Sequence, residues 1–154
     1  MDERARRSRL LERRTIASPV LNVYTFSEET MTDGPREYDR EFSTPHEHRV
    51  RRRIGYSHDH GEVTRFVVQL EYKLDDRWAE IVRFDHDPAS DFGHDVSKEG
   101  VHMDVYRDGE KIQSEEVFPP MPPDEALTFA EEHLNQHAER YIKRFEEWHG
   151  IRNL

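Results

Sequence analysis

Arg83, Asp85, His102 and Asp104 are residue types that do acid–base and phosphate chemistry, and strand alternation can bring them side by side. Each falls on the polar side of an alternating β pattern within residues 63–117. Matching the faces of neighbouring strands sets Asp85 opposite His102 and Arg83 opposite Asp104. Two polar rows then cross the sheet: Gln69, Arg83, Asp104, Gln113, and Val67, Asp85, His102, Glu115. A histidine beside a carboxylate is a base with an orienter. A guanidinium next to them steadies negative charge developing on a phosphate. Tyr106 and Gln69 stand where a substrate would be held. The set has the parts for metal-free RNA cleavage. His102 takes the 2′-hydroxyl proton, Arg83 steadies the pentacovalent phosphate, and His94, if its loop folds over, protonates the leaving oxygen. The plain alternative is a wet sheet face of cross-strand ion pairs, each worth little.

The positioning elements are four strand patterns and a helix. Phe66, Val68, Leu70, Tyr72 and Leu74 alternate with Arg65, Gln69, Glu71 and Lys73. Trp78, Val82 and Phe84 alternate with Arg83 and Asp85. Val101, Met103 and Val105 alternate with His102, Asp104 and Tyr106. Residues 110–117 form a weaker pattern, that of an edge strand. Asp108-Gly109 is a type I′ turn signature, which pairs Arg107 with Glu110, Val105 with Ile112 and His102 with Glu115. At the first hairpin, turn and pattern compete. A two-residue Asp75-Asp76 loop would set apolar positions beside Arg83 and Asp85. A three-residue loop through Arg77 pairs Leu70 with Val82 and Val68 with Phe84, and it keeps every side chain on its proper face. After the stiff Pro119–Pro123 linker, Asp124 or a neighbour caps a helix reaching about Trp148, with Gly150 as its stop. Its stripe, Leu127, Ala130, Leu134, Ala138, Tyr141, Phe145 and Trp148, covers the apolar face. The expected fold class is α+β: an antiparallel four- to five-stranded meander covered on one face by a long C-terminal helix. The fifth strand would be residues 20–26.

Two segments are expected, an irregular and partly basic stretch 1–60 and an α+β domain 61–154. Residues 2–14 read as a frayed terminus or as a basic arm. Residues 27–48 read as irregular. Residues 46–60 carry two His-x-His pairs around Arg49 and Arg51–Arg53, and read as a surface loop. Metal binding or phosphate contact is the sharper alternative there. The long loop 87–100 holds Asp87, Asp91, His94 and Asp95, with His86 and His102 at its mouths, and divalent-cation binding is the alternative for it. His133 and His137 read as boundary histidines at a helix–sheet junction. The net charge is −10. It is carried by residues 61–154, which sum to −11 against +1 for residues 1–60, so broad nonspecific duplex binding is disfavoured. The chain has no cysteine, which excludes disulfides and thiolate chemistry and suits a reducing cytoplasm. No signal peptide or spanning helix is visible, so a cytoplasmic protein without membrane contact is expected. No cofactor and no metal site is assigned.

The core Arg-Phe-Asp-His at Arg83–His86, followed by His94 and by His-Met-Asp-Val-Tyr-Arg-Asp-Gly-Glu at His102–Glu110, resembles a family of small uncharacterised prokaryotic proteins. More distantly it is similar to TumE-type toxins of toxin–antitoxin pairs. Those carry an Arg-aromatic-Asp segment on a strand, then a histidine-rich loop. The likeness covers residues 66–110. His86 stands where the toxins commonly have Asn, and their histidine cluster is thinned to His94 and His102. The resemblance implies a toxin-like protein acting on RNA, with Arg83, Asp85, His102, His94 and Asp104 as candidate catalytic residues. Two readings compete with it. One is a non-catalytic interaction module, antitoxin-like or partner-binding, that uses the charged face or the basic arm. The other is a divalent-metal-binding protein using loop His and Asp. The partner would be RNA or another protein, and the oligomeric state is left open.

Overall fold

The computed structural model describes residues 37–151. The six strands are β1 (Arg40–Glu47), β2 (Val50–Asp59), β3 (Glu62–Leu74), β4 (Arg77–His86), β5 (Val101–Arg107) and β6 (Glu110–Phe118). A short helix α1 (Val96–Glu99) precedes β5, and α2 (Pro123–Trp148) follows β6. The sheet runs in the order β1-β2-β3-β4-β5-β6 with every neighbour antiparallel. The fold is therefore the expected α+β meander with a C-terminal helix, but with six strands among the described residues. The strand expected at residues 20–26 and the basic stretch 2–14 lie outside the described residues. Among the described residues no helix is long and apolar enough to cross a membrane.

The sheet begins at Arg40, so the expected irregular stretch up to residue 60 is corrected. In β2, Val50 and Ile54 are buried, while Arg51, Arg52 and Arg53 are half-buried. Three consecutive arginines hide the period-2 signal, yet their methylene stems lie along the sheet like apolar side chains. His60 and Gly61 both have positive φ, 52° and 82°. That is the geometry of a type I′ hairpin turn joining β2 to β3, and the His-x-His pair at 58–60 is a strand end and its turn.

Two bulges resolve the register. Leu74 pairs with Arg77 across a two-residue Asp75-Asp76 turn, not the expected three-residue loop. A bulge at Ile81 then restores Leu70 opposite Val82 and Val68 opposite Phe84, the pairing that the alternation demanded. At the β5–β6 hairpin Arg107 pairs with Glu110 as expected, across Asp108 and Gly109 at φ 55° and 81°. A second bulge then sets Val105 opposite Gln113 and His102 opposite Glu116, one residue off the expected Ile112 and Glu115. It leaves Ile112 exposed on the edge strand.

Helix α2 closes one face. Ala126, Ala130, Leu134, Ala138, Tyr141, Ile142 and Phe145 are buried against Ile54, Phe66, Val68, Leu70, Val82, Phe84 and Met103. Leu127 and Trp148, expected in the stripe, sit half-buried at its rim. Pro123 occupies the first helical turn, where its missing N–H costs nothing. Asp124 does not cap the helix but accepts a hydrogen bond from Val63 N at 3.1 Å.

Candidate functional site

The centre of the face away from α2 is closed. On β3, Val67, Gln69 and Glu71 are only 0, 3 and 5% exposed. Buried polar side chains must be satisfied, and here they satisfy one another. Arg51 Nε donates to Glu71 Oε1 at 2.6 Å, and Gln69 Nε2 donates to Glu71 Oε2 at 2.5 Å. Arg83 Nη1 donates to Gln69 Oε1 at 3.3 Å, and Arg83 Nε to Asp85 Oδ2 at 2.9 Å. One hydrogen-bonded chain thus runs across β2, β3 and β4, with the Gln69 amide joining its two ion pairs. Arg53 meets Glu41 at 3.3 Å and Arg65 meets Asp87 at 3.2 Å. Aromatic rings lie over this layer. Trp78 takes the Arg51 guanidinium at 4.1 Å and Tyr38 takes Arg65 at 4.4 Å. Gly55 makes room for Tyr38, since a Cβ there would lie 2.9 Å from its ring.

Electrostatics follow from this closure. Burial opposes the Arg83 charge, but Asp85 outweighs it and holds the guanidinium pKa above its ordinary value. Burial raises the Tyr106 hydroxyl; Arg83 opposes that and Asp104 adds to it, so the phenol stays neutral. Arg83 and Asp104 are cross-strand partners, as expected. The β4–β5 ladder consists of that pair and Val82 with Val105. Asp104 draws Lys111 Nζ to 3.5 Å.

The histidines belong to a separate corner built by the 87–100 loop. His86 is 3% exposed, and its Nδ1 accepts the Val96 N–H at 3.1 Å. The proton therefore sits on Nε2. Burial lowers the His86 pKa, against the opposing pull of Asp95. Asp87 N donates to His94 O at 2.8 Å. Asp95 caps α1 by accepting from Ser97 N at 3.0 Å, and the Ser97 hydrogen bonds hold its pKa below the usual range. These ties fold the loop back. His94 Nδ1 lies 2.7 Å from Glu99 Oε1, and its Nε2 lies 2.9 Å from Gly100 O. The His94 and His102 rings come to 4.6 Å between centroids. The hydrogen-bond partner of His102 is the Glu99 carbonyl, at 2.9 Å from Nε2, and that of Asp85 is Arg83.

The structure thus pairs Arg83 with Asp85, aligns Arg83 with Asp104, and brings His94 to His102. Among the described residues no group of three His, Asp or Glu is placed to hold a metal ion. His133 sits at the helix–sheet junction, with Nε2 2.8 Å from Tyr141 OH and its ring edge-on to Phe84 at 5.6 Å. Sequence reasoning missed Phe92. Its side chain is fully exposed, at 106%, and its φ is +61°. An apolar residue inside the polar run Ser90-Asp91-Phe92-Gly93-His94 was the available signal.

Residues 27–151 match the model of a family described as Domain of unknown function (DUF7718), and the chain belongs to that family. No curated protein and no solved structure matches the chain.

Proposed function

We propose that this DUF7718 chain is a non-catalytic binding module that docks its 87–100 loop onto a partner protein, with Phe92 entering an apolar cleft rimmed by cations. The fully exposed Phe92 ring, held at φ +61°, carries this reading. Bulky residues rarely adopt that conformation, and holding one there costs about 1–3 kcal/mol. In the free chain the ring recovers none of that cost by burial. The tip is a fixed turn: Ser90 N donates to Asp87 O at 3.2 Å and Gly93 N to Ser90 O at 2.9 Å. A Cβ on Gly93 would lie 1.8 Å from Asp87 O, so only glycine fits. A preordered loop loses little entropy on docking, and buried aromatic anchors dominate interface energies. Asp91, next to Phe92 in the chain, is exposed, and residues 87–100 hold four acidic residues against one lysine, which favours a cationic rim on the partner. The Arg83, Asp85 and Gln69 side chains hydrogen-bond to one another, which supports a role without catalysis. Tagged wild-type and Phe92→Ser proteins, compared for what they retain from source cells, test the reading. Retention should be lost in Phe92→Ser at unchanged Tm and kept in His102→Ala, which lies outside the loop. The same retained set for wild type and Phe92→Ser would overturn it.

A toxin-like ribonuclease is the second reading, favoured by the 4.6 Å approach of His94 and His102. His102 would act as base, with His94, oriented by Glu99, as acid. Glu116, the cross-strand partner of His102, and Glu99 both repel an approaching phosphate, which ranks this reading lower. RNA cleavage and growth arrest abolished by His102→Ala and Arg83→Ala, in variants that still fold, would establish it. Equal growth of wild type and variants removes it.

A further inference from the structure

The arginines of the sheet face that were followed above, Arg51, Arg53, Arg65 and Arg83, each meet a carboxylate. Those beside Trp148 do not. Among the described residues no ion pair engages Arg107, Arg140 or Arg144. Arg107 and Arg144 each lie 5.0 Å from the centre of the Trp148 ring. Arg140 and Arg144 lie 5.3 and 5.5 Å from that of Tyr141. Arg140 Nη2 makes one long hydrogen bond to Tyr141 OH, at 3.4 Å. Arg144 Nε and Nη2 are buried with no acceptor. The neighbouring carboxylate of Asp108 meets His149 Nε2 at 3.2 Å. Aromatic stacking holds these guanidiniums in place but leaves polar edges without acceptors, which a folded chain avoids. In a chain with 33 acidic and 23 basic residues, an internal carboxylate was available in abundance.

We infer that the Arg107–Arg140–Arg144 cluster around Trp148 and Tyr141 is a binding site for a phosphate monoester. Three unpaired cations suit a dianion, and guanidinium forks match phosphate oxygens two at a time. Arg107 and Arg140 are exposed to a ligand, and Arg144 turns its buried Nε and Nη2 outward to join them. A long phosphodiester polyanion fits less well, because the −10 net charge repels it as a whole. The site uses no residue of the 87–100 loop and stands apart from either functional reading above. The phosphate belongs to a phosphorylated side chain of a partner or to a free phosphorylated metabolite.

NMR titration of the full chain with inorganic phosphate, at constant ionic strength held with NaCl, tests it. The Trp148 indole and Arg144 Nε–H resonances should shift saturably. Arg144→Gln and the exposed Arg107→Gln should each weaken binding about tenfold, and Lys73→Gln should leave it unchanged. If Arg144→Gln does not fold, Arg107→Gln alone decides. A phosphopeptide binding more tightly than inorganic phosphate assigns the group to a protein partner, and equal binding assigns it to a free metabolite. No saturable shift, an unchanged affinity in Arg107→Gln, or saturation by a single-stranded RNA oligonucleotide without any by phosphate would overturn the inference.

Discussion

His86 shows how one side chain can set the position of a whole loop. Its Nδ1 holds the Val96 N–H, its ring stacks on Phe66 at 5.8 Å, and burial keeps it neutral. Because its folded pKa is depressed, the unfolded chain takes up the proton first as pH falls below the ordinary 6.5. Stability is therefore full above that value and is lost as pH drops through it. His133 acts in the same direction, lowered by burial and then by His137 and Arg140. Tm should be lower at pH 5.5 than at pH 7.5, and His86→Asn, whose side-chain oxygen replaces the Nδ1 acceptor, should flatten that slope. Thermal melts at both pH values check this, and an unchanged slope in the variant would exclude His86 as the source. Tyr72 offers a second residue-scale case. Its hydroxyl donates to the buried Glu146 Oε2 at 2.8 Å, and burial with that carboxylate pushes its pKa up to about 12. Tyr72→Phe strands a buried carboxylate oxygen and should cost about 1–3 kcal/mol, read from urea unfolding.

At the scale of elements, helix α2 is held by position, not by composition. Leu134 is 1% exposed and Leu127 is half-buried at the rim. Leu134→Ala should cost about 2–5 kcal/mol, because a cavity remains beneath the helix. Leu127→Ala should cost much less, since solvent reaches the vacated space. Similar losses at the two sites in denaturant titrations would contradict this packing. The strands show where local signals conflict. Asp75-Asp76 and Asp108-Gly109 were both legible as turns, and the alternation of β3 and β4 was legible as register. The bulge at Ile81 reconciles a turn with its pattern by adding one residue to β4, whereas the bulge after Val105 shifts β6 by one residue from the register that its turn and pattern both implied. No single-strand pattern shows a bulge in advance, because the extra residue is defined only against its partner.

Over the whole molecule, the meander joins each strand to the next, and α2 packs across the middle of the sheet against β3, β4 and β5. Trp78 lies in the ion-pair layer and Trp148 at the helix end, so they report opposite faces. Their fluorescence and the far-UV circular dichroism should follow one denaturant transition, since both faces share β3 and β4. Separate midpoints would mean that the two layers unfold independently. The charges divide by face as well. Carboxylates neutralise the arginines of the sheet face, whereas those at Trp148 stay unpaired.

The sequence alone determined the α+β class, the apolar face, its helix and the Arg83–Asp104 alignment. Those follow from period and turn chemistry, which act between near neighbours in the chain. Only the tertiary structure decided which polar groups consume one another. Asp85 went to Arg83, His102 to a backbone carbonyl beside His94, and Phe92 to open solvent. Hydrogen-bond partners are chosen by geometry across strands and loops, where a shift of one residue or one fold of a loop exchanges them.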